Sequence, residues 1–269
     1  MHNYLSLYLK LISVQFRSQL QYRFSFFFEL FGTGLITLLE YGSLALVFSR
    51  FETLKGWSLG QVAFLYGLAE LSFGLMDLIF SGFDPGTFGL FVRRGRFDQL
   101  LLRPINITLQ VLGSEFALRR FGKIIIGIMI FFSALSLTAI HWSLLKIFLT
   151  VLVVFSQVLF FGGLFMIGAT ITFWTVESIE VVNIFTYGGS YMISHPMHIY
   201  PEPLRRFFTY IIPAIFLYYY PTLFIFNLPD PFDLPACVPF LSPVVRLGMF
   251  LAAYFFWQYG IRQYQSTGT

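Results

Sequence analysis

Charge is scarce in this sequence. Of its 269 residues, 17 are Lys or Arg and 13 are Asp or Glu, together 11%, against about 25% in soluble domains. An ordinary water-soluble enzyme is therefore excluded. The net charge of +4 does not indicate nucleic acid, because the basic residues sit mostly beside apolar runs, where membrane topology accounts for them. Cysteine is almost absent: Cys237 alone permits no intramolecular disulfide and no multi-cysteine metal site. No G-x-x-x-x-G-K-[ST] occurs, and Gly122-Lys123 lacks the earlier glycine that a P-loop needs to cradle phosphates. Neither G-x-S-x-G nor H-E-x-x-H is present, so hydrolase chemistry has no motif support. His195 and His198 form H-P-M-H around Pro196 with no carboxylate or cysteine ligand nearby, which reads as an interfacial loop rather than a metal site. No catalytic residue and no metal ligand is expected in this chain.

Apolar length is what the sequence has in abundance: 57% of residues are hydrophobic and the mean hydropathy is +0.75. At about 20 residues per crossing, the chain reads as an all-α polytopic membrane protein with six transmembrane helices. Residues 2–23 alternate an apolar stripe (Leu5, Leu9, Ile12, Phe16, Leu20) with a polar one (Asn3, Ser6, Lys10, Ser13, Arg17, Gln21), the pattern of an amphipathic helix lying in the membrane plane. Residues 24–269 form the membrane domain. Its expected spans cover residues 24–49, 59–83, 122–140 and 144–174, then a fifth from 181 that leads into a broken, re-entrant outer region (about 194–243), and a last at 244–261. The first apolar run is longer than a signal h-region and lacks a small-residue cleavage site, so a signal peptide is not expected.

The one long polar interruption is the loop at residues 84–121. Arg93, Arg94, Arg96 and Arg103 lie close together, and Arg119, Arg120 and Lys123 follow. Loops this basic stay on the cytoplasmic side. With Lys10, Arg17, Arg23 and Arg262, that side receives 11 of the 17 basic residues; Arg50, Lys55, Lys146, Arg205, Arg206 and Arg246 fall outside, and both termini are cytoplasmic. The loop is either a topology anchor or a contact surface for a cytoplasmic partner. Arginines offer rigid forked donors to acidic surfaces, Phe97 is a candidate aromatic anchor, and Pro104 is expected to fix the start of the next helix. Asp98 either touches a partner or pairs with one of the arginines.

Four acids fall inside expected spans: Glu29, Glu40, Glu70 and Asp77. Intramembrane carboxylates are costly and are candidates for function. Eleven residues separate Glu29 from Glu40 and seven separate Glu70 from Asp77, so each pair shares a helix face. They either line a substrate pathway that favours cations or pair with arginines such as Arg119. Phe216, Tyr218 and Tyr219, next to Tyr220, form either an outer gate or an interfacial belt.

Six spans, an amphipathic leading helix and a broken outer segment resemble the permease subunits of ABC-2-type ATP-binding-cassette exporters. The run GRFDQLLLRPINITLQ, residues 95–110, is similar to a G-x-(F/L)-D-x-L-L-x-R-P-x-N signature of one permease subfamily. Glu115 to Lys123, Tyr200-Pro201 and Ile212-Pro213 fit it as well. The resemblance implies that Arg93, Arg94, Gly95, Arg96, Phe97, Asp98, Arg103 and Pro104 dock two copies of a separate ATPase, which binds the ATP and Mg; this chain would bind no cofactor. It also implies a second permease chain, identical or homologous, in a bacterial inner membrane, exporting an amphipathic or cationic small molecule or lipid. A membrane-embedded lipid-modifying enzyme and a motor-independent channel are the alternatives.

Overall fold

The computed structural model describes residues 4–54, 56–175, 180–195, 200–203, 215–228 and 238–266. Helix α1 (Tyr4–Gln21) breaks at Tyr22, where φ is −104° and ψ 61°, and α2 (Arg23–Phe48) follows. A two-residue strand pair, β1 (Thr53–Leu54) and β2 (Trp57–Ser58), turns the chain into α3 (Leu59–Phe80). Ser58 and Gln61 close a capping box there, which satisfies orphan N–H groups at the start of a helix that lies largely in the apolar core. A 3-10 turn (Ser81–Phe83) leads to three short helices, α4 (Pro85–Arg93), α5 (Arg96–Leu101) and α6 (Ile107–Leu112). Helices α7 (Arg120–Leu137) and α8 (Leu144–Thr175) return across the bundle. Then come α9 (Glu180–Asn183), a π-helical turn (Ile184–Gly188), α10 (Gly189–Ile193), α11 (Ile215–Phe226) and α12 (Val238–Gln263).

Among the described residues, five stretches are long and apolar enough to cross a membrane: Arg23–Phe48, Leu59–Arg93, Arg120–Leu137, Leu144–Thr175 and Pro239–Gln263. The protein is an all-α polytopic membrane protein. In the region of the expected fifth crossing the described residues form α9, α10 and the 12-residue α11, and residues 196–199 and 204–214 lie outside the described ones. The last helix begins at Val238 and carries Pro243 inside it, six positions ahead of the start expected from hydropathy.

Helix α3 is the centre of the bundle, buried on nearly every face. Its glycines explain why. Gly60, Gly67 and Gly74 recur every seven residues and meet α7 closely: a Cβ on Gly67 would stand 2.6 Å from the Phe131 backbone nitrogen, and one on Gly74 would stand 2.8 Å from Ile124. The approach is mutual, since a Cβ on Gly127 would lie 2.9 Å from the Leu71 nitrogen. Small residues replace hydrophobic driving force in helix packing within lipid. On the other side of α7, Gly34 of α2 faces Gly122, where any side chain would collide with the Leu30 carbonyl.

The bundle has two ends. One holds Trp57 and the turn between α7 and α8. The other holds the α4–α6 segment with its arginines, together with both described chain termini. Helix α1 docks at the arginine end, where Gln15 Nε2 donates to the Ser114 carbonyl (2.6 Å) and Gln19 Nε2 to that of Phe116 (2.6 Å). The Leu118 N–H donates back to Gln19 Oε1 at 3.2 Å. The amphipathic helix thus packs on the turn that precedes α7.

Candidate functional site

The arginine end is a cap built from local rules. Asp84 opens α4 as N-cap, its Oδ1 accepting from the Gly86 N–H at 2.9 Å, with Pro85 at the first helical position where a missing N–H costs nothing. Asp84 Oδ2 accepts the Tyr187 hydroxyl at 3.1 Å, which ties the cap to the π-helical turn. Pro85 rests against Gly168 of α8. Gly95, at φ 63°, reverses the chain from α4 into α5 in a left-handed conformation that a Cβ disfavours. Gln110 Nε2 then donates to the Leu100 and Ile105 carbonyls at 3.1 and 3.0 Å and staples the connection to α6.

Phe97 is the keystone of the cap. It was expected to project toward a partner as an aromatic anchor; instead it is 0% exposed. Its ring lies 4.9 Å from Phe173 at the end of α8, 4.8 Å from Tyr264 and 6.1 Å from both Phe88 and Trp257. Trp257 in turn donates from Nε1 to Thr108 Oγ1 of α6 at 3.1 Å. The cap is therefore welded to the ends of α8 and α12. Arg93, Arg94, Arg96 and Arg103 remain exposed on its outer face, as do Pro104, Leu101 and Leu102, while Gly95 is buried. Asp98 accepts a hydrogen bond from the Ser266 hydroxyl at 3.0 Å, a tail contact rather than the expected arginine pair. Pro104 does not fix the next helix start either: α6 begins at Ile107, where Asn106 Oδ1 accepts the Leu109 N–H at 3.2 Å.

The basic residues that close the loop turn inward. Arg120 Nε meets Asp77 Oδ2 at 2.6 Å and Lys123 Nζ meets Glu70 Oε2 at 2.9 Å, while Arg119 stands 3.9 Å from Glu29 with both side chains half exposed. Lys123 also lies over the Phe73 ring, 5.0 Å from its centroid. Glu70 and Asp77 are buried and ion-paired across the α3–α7 seam. Three cations at a helix N-terminus oppose the helix dipole, and the three acids offset that. Glu40 is half buried and accepts the Tyr66 hydroxyl at 2.9 Å, with the His195 ring edge-on to Tyr66 at 6.5 Å. Outside the spans, burial of the turn before α7 pushes the Glu115 carboxyl above its usual range.

At the Trp57 end, Tyr218, Tyr219 and Tyr220 are buried. Tyr218 donates to the Leu68 carbonyl at 3.4 Å and Tyr219 stacks on Trp57 at 5.9 Å, so these rings pack in the bundle and not in an interfacial belt. The Phe216 side chain, His198 and Cys237 lie outside the described residues. Among the described residues no group of three metal-ligating side chains occurs.

Three features were not read from the sequence. Lys146, counted on the outer side of the membrane, is buried within the protein and donates to the Ile225 carbonyl at 2.6 Å, capping α11. Arg246, placed there too, is 1% exposed and donates to the Val153 carbonyl (3.1 Å) and Ser156 Oγ (2.6 Å). Both lie within the expected apolar spans, and that position was itself a signal of burial. The π-helical turn had no sequence signal.

Comparison with known proteins agrees with this architecture. No curated protein matches the chain. A family model described as ABC-2 family transporter protein matches residues 35–268, most of the membrane domain and the whole cap. The chain belongs to the ABC-2 transporter family.

Proposed function

We propose that this protein is the membrane-spanning permease subunit of an ATP-binding-cassette exporter. ATP and Mg are held by a separate ATPase that docks on the exposed face of the cap. The observation that carries this reading is a rigid plate bearing Arg93, Arg94, Arg96 and Arg103, fixed to the ends of two long helices by the Phe97 cluster. Such a plate passes on a push instead of absorbing it. ATPase family partners are separate chains, consistent with the missing P-loop. Two ATPase copies and a second permease, identical or homologous and paired along the exposed apolar face of α2, complete the complex in a bacterial inner membrane. Both termini and the cap would face the cytoplasm, and an amphipathic or cationic molecule would be moved outward. ATP biases the transport equilibrium only through cap contacts that differ between states.

The test is to purify the tagged chain from its native membrane in mild detergent and ask whether an ATP-hydrolysing subunit is retained. Wild type is expected to retain it, and Arg96→Glu is expected to release it while eluting as a folded species. Absence of any ATPase under several gentle conditions would sink the motor-driven reading.

A further inference from the structure

At the elbow between α1 and α2 lies a polar pocket of about 280 Å³, lined by Ser18, Gln19, Tyr22, Ser25, Phe26 and Glu29. Its level relative to the membrane follows from its two walls. Helix α1 is amphipathic and exposes Leu9, Val14 and Phe16, while α2 exposes Phe24, Phe27, Phe28 and Phe31 over its first turns. A helix that lies on a membrane and one that crosses it meet at the headgroups, so the pocket opens where lipid headgroups reside.

Its chemistry is two-signed. Gln19 is committed at both ends to the turn before α7, which fixes the pocket floor. The Glu29 carboxylate is about half exposed and its ion pair with Arg119 is long, 3.9 Å; Ser25 Oγ is 3.5 Å from its other oxygen. A carboxylate so loosely engaged keeps acceptor capacity for a second cation. Positive charge stands beside it in Arg119, and Arg17 and Arg23 are exposed on the same two helices. An acceptor for an ammonium next to donors for a phosphate fits a zwitterion that carries both.

We infer that this elbow pocket binds the headgroup of an amine-bearing phospholipid, with the primary ammonium on Glu29 and Ser25 and the phosphate toward Arg119 and the Ser18 and Tyr22 hydroxyls. A primary ammonium brings three N–H donors to these oxygens; a choline group brings none, and a glycerol headgroup brings no positive charge. The pocket residues precede the stretch matched by the family model, residues 35–268. The inference does not depend on the exporter reading, because binding is read on this chain without any ATPase.

The experiment is native mass spectrometry of the full-length chain in micelles doped equally with phosphatidylethanolamine, phosphatidylglycerol and phosphatidylcholine. Retention of phosphatidylethanolamine is expected to exceed each of the others by about three-fold or more, as charge-assisted hydrogen bonds to one group predict. Glu29→Gln is expected to abolish the preference, whereas Glu52→Gln, in the turn just past the opposite end of α2, leaves it. If Glu29→Gln fails to yield monodisperse protein, the double variant Tyr22→Phe with Ser25→Ala reads the same site. Equal retention of phosphatidylcholine, or an unchanged preference in the pocket variants, overturns the inference. So does displacement of the lipid by soluble phosphoethanolamine at similar concentration, which would make the pocket a site for a free solute.

Discussion

Lys123 holds one of the two buried ion pairs described across the α3–α7 seam. It pairs with Glu70 and covers Phe73, so Lys123→Ala leaves a carboxylate buried without its counter-charge. Breaking one partner of a buried pair costs about 3–5 kcal/mol, while replacing both with apolar residues of similar volume is near neutral. Lys123→Ala is therefore expected to lower the thermal midpoint in detergent sharply, and Lys123→Met with Glu70→Leu to recover most of it. A second contrast separates structure from docking on the cap. Phe97→Ala removes a fully buried ring and is expected to cost about 3–5 kcal/mol in stability. Arg96→Glu, on the exposed face, is expected to stay within about 0.5 kcal/mol of wild type. Thermal unfolding of the two variants side by side checks this, and equal loss in both would mean that Arg96 is part of the weld.

Among the elements, the α3–α7 seam is set by the closest contacts. A methyl on Gly67 would press on the Phe131 backbone at 2.6 Å, and backbone cannot swing aside as a side chain does. Gly67→Ala is expected to destabilise by about 1–3 kcal/mol through overpacking. Gly42→Ala, where a Cβ meets nothing within 4 Å, is expected to be neutral or slightly stabilising. Thermal midpoints of the pair decide it. These elements were legible in the sequence to the extent that one helix dictates them: span positions follow from apolar run length, and the glycine-rich character of α3 is plain in its residues. What depends on a second helix was not. Arg120 and Lys123 read as the end of a basic loop, because the acids that draw them inward lie more than forty positions earlier in the chain. Phe97 sits in a polar stretch and looked exposed, since its partners Phe173, Trp257 and Tyr264 arrive from distant segments.

On the scale of the whole molecule, the two ends are built differently. The arginine end is a polar plate over an aromatic weld, with α1 clipped beneath it by two glutamines. The Trp57 end is closed by buried tyrosines and by Lys146, which donates to the Ile225 carbonyl, while Arg246 deeper in the bundle donates to the Val153 carbonyl and Ser156 Oγ. This asymmetry also sorts the four tryptophans. Each end carries one deep inside, Trp57 (3% exposed) and Trp257 (0%), and one at the surface, Trp142 (39%) and Trp174 (49%). The protein thus carries its own optical labels. A variant that keeps only Trp257 would glow from within the weld, and one that keeps only Trp57 from beneath the tyrosines. The colour and quenching of each would report separately on the two ends of the bundle.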